Sequence, residues 1–310
     1  MAPVISLVVP MYNEARGMAL LFERVMPVLS SITPDWDIVC VNDGSQDETL
    51  ALLKEWHAKE PRVKFLSLSR NFGKEAALSA GLHHAFGQAV IPFDADLQDP
   101  PEMIPDMVRE WQSGYKVVLA TRTSRAGEGW FKRSSAWLYY KFINRVTSIE
   151  IPPNTGDFRL MDQQVVEVLR QFPERSRYMK GLFAWVGFKT TVLYFDRQSR
   201  MVGAPKQSLR KLWQLAKDGV FSFTTAPLRI TTYMGVLISL IAMSYAIWLL
   251  LRVMYKGVDV PGYASIMAAV LFMGGIQLIS IGILGEYIGR AYREAKRRPV
   301  YIIEEISERL

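Results

Sequence analysis

At 310 residues, half of them apolar, with a formal charge of +7, the chain has room for one globular domain plus appended segments and not for two large independent domains. Its single cysteine, Cys40, excludes an internal disulfide and any multi-cysteine zinc site. Nearly all the charge lies between Lys206 and Leu310, where thirteen Lys or Arg face seven Asp or Glu; it clusters beside apolar runs rather than along one soluble face, which argues against a nucleic-acid partner.

The opening MAPVISLVVPMYNE lacks the basic start and longer apolar core of a signal peptide and reads as a first strand. Short apolar runs at 4–9, 37–41, 63–68, 89–93 and 116–120 predict strands, and the segments 18–29, 47–57, 74–86 and 101–112 between them predict helices. This alternation implies βαβ units: an α/β fold with a largely parallel sheet and helices on both faces. Cys40 sits in an apolar stretch as a small buried thiol, and His57, His83 and His84 fall in helical segments, as structural or surface residues.

Ligands of such sheets bind at the carboxyl ends of the strands. Those ends read Pro10-Met11-Tyr12-Asn13-Glu14, Asn42-Asp43-Gly44-Ser45, Ser69-Arg70-Asn71-Phe72-Gly73-Lys74 and Asp94-Ala95-Asp96-Leu97-Gln98-Asp99. Neither G-x-G-x-x-G nor G-x-x-x-x-G-K-[ST] occurs, so dinucleotide-binding Rossmann and P-loop readings lose their main support. Asp94 and Asp96, with Gln98 two positions on, are hard oxygen ligands suited to Mg²⁺ or Mn²⁺ on a substrate diphosphate; the bland alternative is a solvated acidic turn. An EF-hand is excluded, since Asp99 stands where its glycine belongs and Pro105 where its bidentate Glu belongs.

Toward the C-terminus, Leu209, Leu212, Trp213, Ala216, Val220 and Phe223 recur at helical spacing opposite Arg210, Lys211, Gln214 and Lys217. This predicts an amphipathic helix that lies on anionic lipid or packs on the globular domain. Ile230 to Leu251 carries no charge, and Val260 to Gly285 has only Gln277 as a strongly polar residue; each is long enough to span a bilayer as a helix. Basic residues flank the outer ends (Arg210, Lys211, Lys217 and Arg229; Arg290, Arg293, Lys296, Arg297 and Arg298), so the positive-inside bias puts both ends in the cytoplasm. The expected organisation is a cytoplasmic α/β domain at 1–205, juxtamembrane amphipathic helices at 206–228, two transmembrane helices at 229–289 and a cytoplasmic tail at 290–310, in a multi-pass protein of the inner (plasma) membrane.

P-x-Y-N-E, N-D-G-S and D-A-D-L-Q-D in this order resemble the family-2, GT-A-fold glycosyltransferases. The whole chain, including Gly285-Glu286-Tyr287-Ile288-Gly289-Arg290, is similar to the polyprenyl-phosphate subgroup, which holds dolichyl-phosphate mannose synthase and the bactoprenol glucosyltransferases of the GtrB type. The resemblance implies that Pro10, Tyr12, Glu14 and Asp43 line the nucleoside pocket, with Asn42 replacing the usual first Asp of D-D-G-S. It places Asp94 by the ribose and metal, and Asp96 and Gln98 on the divalent ion. Asn154-Thr155-Gly156-Asp157-Phe158-Arg159 matches the family's G-D-F-R element, whose Asp faces the acceptor; Asp157 and Asp96 are thus the catalytic candidates. Lys206 is implied as a diphosphate ligand, in a stretch with Arg197 and Arg200 where Pro205 replaces the family's Ser. Arg175-Ser176-Arg177-Tyr178 resembles a degenerate Q-x-x-R-W element. Arg122, Lys132 and Arg133 are the candidate clamp on the acceptor phosphate, since Arg and Lys supply charge-assisted donors.

The expected reaction is an inverting transfer of a sugar, glucose from UDP-glucose first, onto a polyprenyl phosphate, undecaprenyl phosphate first. Transfer from GDP-mannose to a dolichol-type lipid is the alternative, and a non-catalytic scaffold of a glycan-export assembly is a second. A single hairpin offers too few helices for the channel of a processive synthase. A second copy of the chain is an admissible further partner.

Overall fold

The run ISLVVPM forms β1 (Ile5–Met11), buried along almost its whole length because it has strands on both sides and helices over its faces. Its neighbours are β2 (Trp36–Asn42) and β4 (Ala89–Pro92), both parallel to it. This computed structural model describes residues 4–123, 155–174, 179–195, 224–256 and 262–307. Beyond β2 lies β3 (Val63–Leu68), again parallel; beyond β4 come β6 (Thr155–Asp162), β5 (Val117–Arg122) and β7 (Thr190–Phe195). With β8 (Ile303–Ile306) on β3, the eight strands run in the order β7-β5-β6-β4-β1-β2-β3-β8.

The expected βαβ units build the centre, and antiparallel pairs join the margins: β6 with both β4 and β5, and β8 with β3. Sequence patterning missed the last three strands for physical reasons. Charged Asp157 and Arg159 interrupt β6, β7 is an edge strand with an exposed face, and β8 is four residues long with two glutamates. β8 is nevertheless well held: Ser307 N–H donates to Phe65 O (3.0 Å), Phe65 N–H to Ser307 Oγ (3.2 Å) and Ser69 N–H to Ile302 O (3.0 Å).

The helix α1 (Met18–Ile32) buries Met18, Leu21, Phe22, Val25 and Leu29 at helical spacing. After α2 (Thr49–Lys59), α3 (Lys74–His83) presses so closely on the sheet that a Cβ at Gly81 would sit 2.3 Å from Val8 Cγ1. The helix α4 (Ile104–Gln112) follows a 3₁₀ turn at Pro101–Met103. Asp162 then caps α5 (Gln163–Arg170), accepting from Gln164 N–H at 3.0 Å, before the short α6 (Met179–Trp185). Cys40 is fully buried, which pushes its thiol pKa far up and leaves it inert. The histidines serve structure: His57 Nδ1 pairs with Val63 O, His84 Nδ1 with Ala80 O and His83 Nδ1 with Tyr301 Oη.

The chain divides into two compact units, Met1–Gln214 with Arg298–Leu310, and Leu215–Arg297. In the second unit, α7 (Ala226–Lys256) and α8 (Tyr263–Ala295) have 31 and 33 residues, and contain apolar spans at Ala226–Tyr245 and Phe272–Ala295. Leu237, Leu240, Ile241, Leu278 and Ile279 are each more than half exposed, and each helix is long and apolar enough to cross a membrane. Tyr287 donates its hydroxyl to Thr224 O at 2.8 Å within this unit.

Candidate active site at the carboxyl edge of the sheet

Strand register sets the site. Val8 pairs with Pro92, so continuing β1 and β4 by two residues aligns Pro10 with Asp94. Ala89 and Val90 lie opposite Asp162 and Met161, and the same antiparallel count brings Asp94 opposite Asp157. A carboxylate from the fourth strand thus faces one that lies 63 residues further along the chain. Both stand on a rigid floor, because the adjacent Phe93 and Phe158 pack edge to face at 5.4 Å, and Phe158 packs on Phe195 at 6.3 Å.

Lys74, the first residue of α3, reaches into this gap. Its Nζ lies 2.6 Å from Asp94 Oδ1 and 2.7 Å from Asp157 Oδ2. Burial works to lower the Lys74 pKa, but the charges of Asp94 and Asp157 and their hydrogen bonds reverse this and hold it above the ordinary lysine value. The sequence reading did not single out Lys74. A signal existed: a cation in the first turn of a helix opposes the macrodipole, so it needs anionic company from elsewhere.

The turn after β2 governs where Lys74 sits. Asp43 is 3% exposed, and its two oxygens accept from Phe72 N–H (2.7 Å) and Gly73 N–H (2.9 Å). Burial raises its pKa, only partly offset by those amides and by Arg70. Gly44 has φ +63°, and a Cβ there would lie 2.3 Å from the Arg70 carbonyl carbon, so only glycine lets the two loops touch. Asn42 braces the same turn: its Oδ1 accepts from Ser45 N–H (3.1 Å) and its amide donates to Ser67 Oγ (3.0 Å). An amide both accepts and donates, which accounts for Asn in place of Asp.

Tyr12 and Glu14 stand on the loop after β1, beside Asn13 at φ 54°. That loop is stitched to the second turn: Asn13 N–H donates to Ser45 Oγ (3.0 Å), Gln46 N–H to Asn13 Oδ1 (2.8 Å) and Glu14 N–H to Thr49 Oγ1 (3.0 Å). After β4, Asp96 Oδ1 accepts from Gln98 N–H at 3.3 Å, while Leu97, at φ 54°, anchors the turn in the core. Among the described residues no three His, Cys, Asp or Glu side chains converge on one point. The donor set still fits Mg²⁺ or Mn²⁺, which commonly take one or two carboxylates and complete their shell with substrate phosphates. Asp94 already holds a cationic group within 2.6 Å.

On the other flank, Arg122 ends β5 with Nη2 3.7 Å from Asp99 Oδ1; its Nε is buried with no hydrogen-bond partner among the described residues. Its Nη2 lies 3.9 Å from where a Gly156 Cβ would be, next to Asp157. Arg159 is buried within β6, donating to Gly156 O (2.7 Å) with its guanidinium 4.2 Å from the Phe183 ring. Burial lowers its pKa to about 10, against the pull of Asp157. Asp99 and the buttressing part of Arg159 were not foreseen. Lys132, Arg133 and Lys206 lie outside the described residues, as do Arg175, Arg177, Tyr178, Arg197, Arg200 and the segment 206–223.

The sequence profile of glycosyl transferase family 2 matches residues 6–170, the span that carries every strand end just described up to β6. The chain belongs to glycosyl transferase family 2. This glycosyltransferase also matches the profile of the GtrB C-terminal hairpin at residues 226–291, which covers α7 and most of α8. It is 53% identical over 302 residues to an uncharacterized glycosyltransferase of Synechocystis sp., covering 97% of this chain and 95% of the relative. It is 45% identical to a prophage bactoprenol glucosyl transferase homolog of Escherichia coli and to a bactoprenol glucosyl transferase of Shigella phage SfV, in each case over 98% of this chain and 99% of the relative. The glycosyltransferase is membrane-associated, with the two-helix C-terminal hairpin that its family subgroup carries.

Proposed function

We propose that this glycosyltransferase moves glucose from UDP-glucose onto undecaprenyl phosphate, with inversion at the anomeric carbon, at the cytoplasmic face of the membrane. What carries the reading is the near full-length identity, hairpin included, to relatives named as bactoprenol glucosyl transferases.

In this reading Pro10, Tyr12 and Glu14 line the nucleoside pocket, and Asp43 shapes its wall through the loop that its oxygens hold. Asp94, Asp96 and Gln98 would hold Mg²⁺ or Mn²⁺, whose charge offsets that of the departing diphosphate. Lys206 adds a second cation there. Asp157 orients the acceptor rather than removing a proton, because a phosphate monoester with a second pKa of about 6 is already mostly ionised at neutral pH. Arg122, with Lys132 and Arg133, clamps that phosphate; the buried Nε of Arg122, without a hydrogen-bond partner among the described residues, supports its part. Positioning and charge stabilisation supply most of the rate.

The return of the chain supports the proposed topology. It leaves the α/β unit before α7 and re-enters the same sheet as β8, so two crossings bring it back to its starting side. The basic run Arg290, Arg293, Lys296, Arg297 and Arg298 stands at that re-entry.

Radiolabelled transfer from UDP-glucose, and separately GDP-mannose, into lipid containing undecaprenyl phosphate tests the reading, with divalent ion, with chelator and with Asp96→Ala. Label entering lipid from UDP-glucose, and lost with chelator or the variant, is the expected result. Label from GDP-mannose alone replaces the donor. No transfer from a broad donor panel, by folded and inserted protein, overturns the proposal.

A further inference from the structure

We infer that Lys74 is a positioning residue that couples the donor side of the site to the acceptor side, its ammonium bridging Asp94 and Asp157 until a divalent cation and nucleotide displace it from Asp94. The inference rests on the proposed roles of Asp94 and Asp157.

Two carboxylates opposed across a sheet edge repel unless a cation lies between them, and Lys74 Nζ lies between these at 2.6 and 2.7 Å. It also approaches the second oxygen of Asp94, at 2.9 Å, so both oxygens of that carboxylate face a positive charge. A divalent ion binding Asp94 therefore meets an ammonium already in contact with its ligand, and the two cations repel. The lysine is free to yield. Its side chain is 46% exposed on a flexible four-carbon stem, whereas Asp157 is only 13% exposed and sits on the Phe158 floor. The root of Lys74 is fixed, because Asp43 clamps the two residues before it. The ammonium thus pivots over a short arc, letting go of Asp94 while it keeps Asp157 and gains the phosphates.

Two consequences follow. Metal alone binds weakly, since it takes Asp94 from the ammonium and supplies no anion in exchange. Metal with a nucleoside diphosphate binds well, because the diphosphate gives the displaced ammonium an anion, and Asp157 is then set for the incoming acceptor.

Mn²⁺ binding to the full-length protein in detergent, followed by the electron paramagnetic resonance of free Mn²⁺ with and without UDP, tests this in wild type, Lys74→Met and Lys74→Arg. Lys74→Met is expected to bind Mn²⁺ alone about tenfold tighter than wild type, and to lose most of the enhancement by UDP, the size of an ordinary two-site coupling. Lys74→Arg stays near wild type in both. Thermal melting without metal shows Lys74→Met folded but with a lowered midpoint that Mn²⁺ restores. Mn²⁺ affinity in Lys74→Met equal to or weaker than wild type overturns the inference. If wild type transfers sugar while that affinity is unchanged, the coupling fails and the proposed function stands. If the affinity rises but wild type transfers no sugar, the function fails and the coupling stands.

Discussion

Gly73 N–H donates to Asp43 Oδ2 at 2.9 Å, across thirty residues of sequence. Phe72 N–H fills the other oxygen at 2.7 Å, so one buried carboxylate ties the turn after β2 to the start of α3. Asp43→Ala leaves both amides without their acceptor, and the expected loss is about 3 kcal/mol of stability. Asp43→Asn keeps one good acceptor and falls between. Denaturant unfolding of the three proteins checks the order, and transfer should fall with it, because Lys74 is rooted in the clamped loop.

The neighbouring Gly44 is constrained more sharply. Its φ is +63°, and a Cβ would meet the Arg70 carbonyl carbon at 2.3 Å. Gly44→Ala combines a left-handed residue with a backbone clash, so a loss of more than about 2 kcal/mol is expected. A melting midpoint within a degree of wild type contradicts this placement of the two loops.

The two opposed carboxylates should separate kinetically. In the proposed reaction, Asp157→Asn is expected to lower kcat by about a hundredfold or more with little change in KM for the nucleotide-sugar donor, the pattern of an interaction made on the acceptor side in the transition state. Asp94→Asn should raise the donor KM and the Mn²⁺ requirement together. Steady-state kinetics with each substrate varied in turn distinguishes them.

Asp162 links stability to pH. Burial opposes its ionisation, but donation from Trp111 Nε1, Gln164 N–H and Lys116 Nζ outweighs burial and holds its pKa below the ordinary carboxylate value. A depressed folded pKa contributes stability that is complete above the unfolded value, near about 3.9, and is lost as pH falls through the folded one. Asp162→Asn should therefore cost about 1–2 kcal/mol at pH 7, and the gap to wild type should close at acid pH. Melting curves between pH 3 and 7 measure it.

Ending the chain at Arg298 removes β8 with its bonds to Phe65 and Ser69. The expected result is a melting midpoint lower by about 4 °C or more. Hydrogen exchange should quicken at the Phe65 and Ser69 amides while the β1 amides stay protected.

Much of this was legible in local pattern. The five strands and four helices of the first half follow from apolar periodicity, because a strand or helix with a buried face must repeat its apolar residues at its own period. The two apolar helices, and the acidic and polar residues at the strand ends, are likewise properties of short stretches, as are Asp94 and Asp96 as a pair of oxygen donors. The margins of the sheet were not legible: β6 hides under charges whose partners are distant, and β7 and β8 are edge strands whose pairing no local period specifies.

At the site the division is the same. Residue types and their order at the strand ends are written in the sequence, and they determine which chemistry is available: carboxylates that can hold a cation, arginine that can hold an anion. Which groups meet was decided by tertiary structure alone. Antiparallel entry of β6 beside β4 brings Asp157 opposite Asp94, and the buried Asp43 aims α3 so that Lys74 falls between them. Contacts between residues tens of positions apart depend on strand order and register, which are settled by the packing of the whole sheet and leave no period in any one segment.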